Sequence, residues 1–167
     1  MAEHRLWAPW RLEYIKSNKE GECIFCARLA EGDDESSLIV HRGERCFVIL
    51  NAYPYNNGHV MVAPYQHTAS LESLDYETSC EIMALSQRSL RALAHAYGPD
   101  GYNLGINLRA VAGAGVEDHV HLHVVPRWKG DTNFMSVLGN TRVLPERLED
   151  SYRNLRAAFG ALEEGEA

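Results

Sequence analysis

Three of the chain's eight histidines fall at strict two-residue spacing in Asp118–Arg127, DHVHLHVVPR. On an extended strand alternate side chains share a face, so His119, His121 and His123 would form a row, with Val120, Leu122 and Val124 on the other side. Neighbours in such a row sit roughly 6.5–7 Å apart, too far to hydrogen-bond side by side but well spaced to touch different oxygens of one phosphate chain. Imidazole suits that work: near pH 7 it is neutral or cationic, it can attack through one nitrogen, and it can donate a proton from the other. The same row also reads as solvated or core histidines, or as a catalytic zinc site built from all three.

A second group with chemistry is Cys23-Ile24-Phe25-Cys26, whose two-residue gap lets both sulfurs reach one ion at about 2.3 Å. The pair also reads as two ordinary reduced cysteines, and less readily as a redox pair, because no thioredoxin-like βαβ pattern follows. Val111–Gly115, VAGAG, offers small residues whose backbone N–H groups could approach phosphate oxygens, although taken alone it reads first as a plain loop. Arg109, Arg127 and Lys129 lie near these segments as distal phosphate contacts or surface charges. Tyr53, Pro54 and Tyr55 read either as a base pocket or as residues that fold their own loop.

The elements that must position these groups follow from periodicity. Leu38–Val40, Arg45–Leu50 and His59–Val62 are β-type runs, and the last two flank the turn-rich segment Asn51–Gly58, which predicts a hairpin with a long loop. From Asp75 to Tyr97 the apolar positions recur at helical spacing, acidic residues lie in the first turn, and Gly98-Pro99 closes the run. Tyr102–Leu108 and His119–Val125 read as further strands, and Leu144–Phe159 as a closing helix. Strands, then a helix, then strands predict an α+β fold: an antiparallel sheet with helices packed on one side.

Composition sets the outer bounds. The 167 residues, 46% apolar and 23% charged, suit one folded domain and exclude collagen-like or wholly disordered chains. Sixteen Lys and Arg against 23 Asp and Glu leave a formal charge of −7, which argues against a broad grip on nucleic acid and requires any anion to be held locally. No run approaches the roughly 20 apolar residues of a membrane span, and the first ten residues have no signal-type apolar core, so a cytoplasmic protein is expected. Residues 1–22, with Trp7 and Trp10 flanking Pro9, read as an arm docking on a domain over 23–160, and the acidic end 161–167 as a fraying tail. His4, His41 and His95 carry no motif.

The His-apolar-His-apolar-His-apolar-apolar run from His119 to Val125 resembles the signature of the histidine triad family. Asn51 and Gly58-His59-Val60 resemble that family's ribose-contacting position and its following strand. Membership implies an α+β fold with an antiparallel sheet of about five strands, a long central helix and a C-terminal helix, paired into a homodimer. It implies an enzyme that binds an adenine nucleotide, with His121 as the nucleophile at the α-phosphorus and His123 against the α-phosphate oxygens. The other nitrogen of His121 would then donate to a fixed acceptor such as a backbone carbonyl. Asn51, His59, Asn107, Gly113, Gly115 and His123 are the nucleotide-binding residues on this reading. Several members carry Gln and Ser donors just before the first motif histidine. Gly115 and Val116 stand there in this chain, a departure in the handling of the leaving group, for which Asn107 offers a side-chain amide.

Zinc-bearing members, and the related galactose-1-phosphate uridylyltransferases, pair such cysteines with a histidine after the Gly-His strand and with the first motif histidine. The matching set here is Cys23, Cys26, His67 and His119, and a site closed by four protein ligands is structural. No organic cofactor is expected. The segments LWAPWRLEYI and PRWKGDTNF resemble a branch related to diadenosine polyphosphate phosphorylases and adenylyltransferases. That likeness favours a dinucleoside polyphosphate as substrate and phosphate as acceptor. Water as acceptor (a hydrolase or AMP phosphoramidase) and a non-catalytic nucleotide-binding protein are the alternatives.

Overall fold

The structure is a computed structural model that describes residues 23–131 and 144–166. The expected arm with Trp7 and Trp10, His4, and residues 132–134 at the end of PRWKGDTNF lie outside the described residues. Five antiparallel strands form one sheet in the order β1-β2-β3-β5-β4: β1 Ile39–Arg42, β2 Cys46–Leu50, β3 Val60–Pro64, β4 Gly101–Ile106 and β5 Leu122–Arg127. Among the described residues four α-helices accompany them: α1 Ile24–Ala30, α2 Asp34–Ser37, α3 Tyr76–Tyr97 and α4 Leu148–Glu166.

Strands β2 and β3 are buried on both faces, and strand register divides the sheet's residues between two cores. Val40, Val48, Leu50, Val60, Val62 and Val124 turn one way, against Leu85 and Leu93 of α3 and Leu155 and Phe159 of α4. Ile39, Phe47, Ile49, Met61 and Ala63 turn the other way, against Phe25 of α1 and Val116. Both helices therefore lie on one face, as expected, and the second face is left for the site. Truncating a fully buried anchor such as Leu93 to Ala would cost about 2–5 kcal/mol.

The ends of α3 match the expected signals. Asp75 caps it by accepting from the Thr78 N–H at 2.7 Å, a bond worth about 1 kcal/mol, and Gly98 closes it in the left-handed region at φ 54°. Gly58 also has positive φ, 73°, and a Cβ there would come within 2.9 Å of Tyr97 Cε2. The hairpin loop thus presses on α3 at a position only glycine fits, and His59 enters the sheet from that point.

Most strand boundaries shift from expectation by a residue or two, and the differences in β4, β5 and α4 bear on the site or the core. The strand expected over Tyr102–Leu108 ends at Ile106, which leaves Asn107 in the loop. The strand expected to start at His119 starts at Leu122, so His119 and His121 precede the ladder, yet Phe25 packs on the His119 and His121 rings and His121 and His123 line one pocket, so the three rings stay on the same side of the chain. The cause is tertiary: the Val120 N–H donates to the Thr68 carbonyl at 2.7 Å, and His119 Nε2 is bound to the Pro64 carbonyl at 2.8 Å, drawing the chain away from the β4 ladder. Helix α4 begins at Leu148 and runs through Glu166, into the stretch expected to fray, because Leu162 packs on the core and Glu163 pairs with His41 at 3.2 Å. The short helices α1 and α2 lacked a periodic signal. Among the described residues no helix is long and apolar enough to cross a membrane.

Candidate active site and metal centre

At the N-terminus of α1, Cys23 and Cys26 face His67, from the loop after β3, and His119. Their ligand atoms all lie within 4.8 Å of one another. Cys23 Sγ is 3.3 Å from His119 Nδ1, Cys26 Sγ is 3.8 Å from the same nitrogen, and Cys26 Sγ is 3.4 Å from His67 Nδ1. A tetrahedral zinc with Zn–S near 2.3 Å and Zn–N near 2.0 Å spaces its ligands roughly 3.3–3.8 Å apart, so the donor set fits that ion in type and spacing. The Nε2–H of His119 donates to the Pro64 carbonyl, which turns the Nδ1 lone pair toward the sulfurs. Burial, and then the neighbouring Cys23, push the Cys26 thiol up, an effect that a bound cation reverses.

Two residues along the chain, His121 is held the other way round. Its Nδ1–H donates to the His119 carbonyl at 2.8 Å, so the lone pair sits on Nε2. Burial lowers its pKa, opposed by that hydrogen bond, and favours the neutral ring. The Phe25 ring packs on both His119 and His121, with centroids 5.1 and 5.0 Å away.

His123 begins a third arrangement. The Tyr55 N–H donates to His59 Nδ1 at 3.1 Å, so His59 carries its hydrogen on Nε2 and donates to His123 Nδ1 at 3.0 Å. His123 then carries its own hydrogen on Nε2, as a donor. Burial, and then the nearby His123 and His121, bring the His59 pKa down to about 3, so His59 stays neutral. The His121 and His123 rings stand edge to face with centroids 4.8 Å apart.

His121 and His123 both line a central pocket with Asn51, Tyr53, Gly113 and Gly115. This pocket joins a chamber of about 300 Å³ through Phe25, Asn51, Tyr53 and Met61, and Ile24, Ala27, Leu38 and Ile49 make its far wall apolar. On the opposite side of His123 a second chamber, of about 350 Å³, is lined by Asn56, Asn103, Asn107 and Arg127.

The HIT domain model matches residues 33–130. The chain belongs to the HIT, or histidine triad, family. A curated relative is the AP-4-A phosphorylase of Mycobacterium tuberculosis, 38% identical over 159 residues, which are 90% of this chain and 82% of that protein. Among solved structures, a Zn-bound histidine triad family protein from Mycobacterium smegmatis aligns with a TM-score of 0.70 at 35% identity, covering 86% of this chain and 97% of that one. A hypothetical histidine triad nucleotide-binding protein from Sulfolobus tokodaii aligns with a TM-score of 0.69 at 26% identity, covering 84% and 94%.

Within this HIT fold the site residues named from the sequence separate into three settings. His121, His123, Asn51, Gly113 and Gly115 meet at the central pocket, and Asn107 lines the polar chamber beyond it. Cys23, Cys26, His67 and His119 form the cluster. His59 is fully buried and reaches the pocket only through His123, so it positions that ring and does not face a ligand directly. Tyr53 and Tyr55 line the pocket, whereas the Arg127 fork is engaged by Asp131 and Asn103. His41 stacks on Phe159 in the helix-side core. Sequence reasoning missed Phe25 as the wall shared by the cluster and His121, although its place between the two cysteines was a usable signal. It also missed Asn56, Asn103 and Asp131, for which no local pattern existed.

Proposed function

We propose that this enzyme binds a diadenosine polyphosphate or related adenine nucleotide and cleaves it at the α-phosphate through a nucleotidyl-His121 intermediate, with inorganic phosphate as acceptor. The observation that carries the reading is the hydrogen bond from His121 Nδ1 to the His119 carbonyl, which leaves a neutral Nε2 beside His123 in the pocket. The Nε2 lone pair attacks the α-phosphorus, an N–P bond forms, and the P–O bond to the remaining polyphosphate breaks, its electrons leaving with that oxygen. An oxygen of the acceptor phosphate then attacks the same phosphorus, and the N–P bond returns its electrons to Nε2. Dividing the transfer in this way replaces one difficult displacement by two easier ones.

In this reading the Nε2–H of His123 holds an α-phosphate oxygen, and the backbone N–H of Gly115, which lines the same pocket, supplies a further donor in a chain of net negative charge. The apolar chamber beside Asn51 suits the transferred adenine, with Asn51 at its mouth for the ribose. In the same proposal Cys23, Cys26, His67 and His119 hold a structural zinc, which supplies positive charge for the two thiolates and a cross-link between α1 and the chain entering β5. The zinc reading draws further support from the Zn-bound relative. A homodimer paired along the exposed edge of β4 and a cytoplasmic location complete the proposal.

Incubation with diadenosine tetraphosphate, with and without phosphate, tests it by chromatography of products. ADP plus ATP that require phosphate support a phosphorylase, in agreement with the AP-4-A phosphorylase relative. AMP plus ATP without phosphate assign the acceptor role to water, and AMP binding without turnover of any substrate assigns a non-catalytic role.

A further inference from the structure

The polar chamber beyond His123 has no part in attack at the α-phosphorus, yet it is built. In the β4–β5 ladder Gly105 lies opposite His123 and Asn103 opposite Val125. Partners across a ladder share a face, so Asn103, Gly105, Val125 and Arg127 extend the face that carries His123 away from the apolar chamber. Asp131 ties the chamber's side chains together. It accepts from Asn56 Nδ2 at 2.6 Å, from Arg127 Nε at 2.6 Å and Nη2 at 2.9 Å, and from the Trp128 N–H at 3.2 Å. Arg127 Nη1 in turn donates to Asn103 Oδ1 at 2.8 Å. Groups ordered by each other before a ligand arrives reduce the ordering cost of binding it.

The chamber's charge and size indicate its occupant. The Asp131 carboxylate offsets the Arg127 guanidinium, so the lining offers amides and a balanced ion pair in place of a bare cationic surface. That chemistry suits ribose hydroxyls and a base edge better than a naked phosphate. At about 350 Å³ the chamber matches the apolar one at about 300 Å³, and His121 and His123 stand between them. We infer that the chamber lined by Asn56, Asn103, Gly105, Asn107 and Arg127 receives the distal nucleoside of a two-ended nucleotide, with the connecting phosphates crossing His123. The inference rests on the proposed function and deepens it: the site is shaped for a dinucleoside polyphosphate, whose leaving half is recognised as well as its transferred half.

Gly105 provides the test, because a Cβ built on it meets no atom within 4 Å and a larger side chain there projects into the chamber. In the inactive His121→Asn background, diadenosine tetraphosphate and adenosine tetraphosphate carry the same phosphate chain and differ in the second nucleoside. Calorimetry should find the two-ended ligand bound about tenfold more tightly, a gap that Gly105→Leu narrows to about twofold. Asn103→Leu, farther from His123, should narrow it as well. Equal affinity for the two ligands in the parent, or a gap that survives both substitutions, overturns the inference. So does a loss shared equally with AMP, since that reports a damaged fold or α-phosphate site. The comparison reads binding alone, so failure of turnover in the wild type would overturn the proposed reaction without deciding this result.

Discussion

His119 and His121 are separated by one residue, yet they hold opposite nitrogens in reserve. His119 spends Nε2–H on the Pro64 carbonyl and turns Nδ1 to the cysteines, while His121 spends Nδ1–H on the His119 carbonyl and keeps Nε2 for the pocket. The cluster gathers four Cys and His side chains, and the pocket is open between two chambers. Residue type does not separate the two histidines; the backbone carbonyl each one meets does. The two regions are also joined, because His119, whose ring belongs to the cluster, supplies the carbonyl that orients His121, and Phe25 touches both rings.

The comparison breaks most sharply at the open side. His121→Ala should lower turnover of diadenosine tetraphosphate on the order of 10,000-fold while AMP affinity changes little, as for a group acting in the transition state. Steady-state kinetics with parallel calorimetry checks this. At the closed side, Cys26→Ala should remove stoichiometric zinc and several kcal/mol of stability, because the binding energy of a structural metal is folding energy. Metal analysis of protein purified without added zinc, together with denaturant unfolding, reads both. A wild type free of metal would dissolve the contrast between the two regions.

A smaller effect is expected at the relay. His59→Phe removes the donor to His123 Nδ1 and should cost about 1–2 kcal/mol of transition-state stabilisation, roughly tenfold in kcat, with zinc content unchanged. A further effect concerns pH and stability. His59 has a folded pKa of about 3 against an ordinary 6.5, so between those values the unfolded chain binds a proton that the folded chain does not. Its contribution is therefore full above pH 6.5 and declines as the pH falls toward 3. Denaturant unfolding at a series of pH values should show a shallower acid loss for His59→Gln than for the wild type.

Much of this architecture was legible because it rests on local signals. Asp75 and Gly98 announced both ends of α3, and the turn formers of 51–58 announced the β2–β3 hairpin. The histidine spacing pointed to the residues that gather at the cluster and the pocket, but its strict alternation suggested one continuous strand. What bends that strand is tertiary: Pro64 and Thr68, more than fifty residues away, take hydrogen bonds that a ladder would otherwise use. Helix α4 exceeded its expected length for the same kind of reason, since Glu163 meets His41 and Arg88 from other elements. The Asp131 network left no trace in the sequence, because Asn56 lies seventy-five residues from its acceptor.

Rapid quenching of the enzyme with diadenosine tetraphosphate in the absence of phosphate, followed by peptide mass spectrometry, tests the assignment of the nucleophile most directly. An acid-labile adenylyl group should appear on the peptide containing His121, on that ring, and disappear when phosphate is added. Turnover at the normal rate with the adduct on another residue, or persisting in His121→Ala, would contradict it.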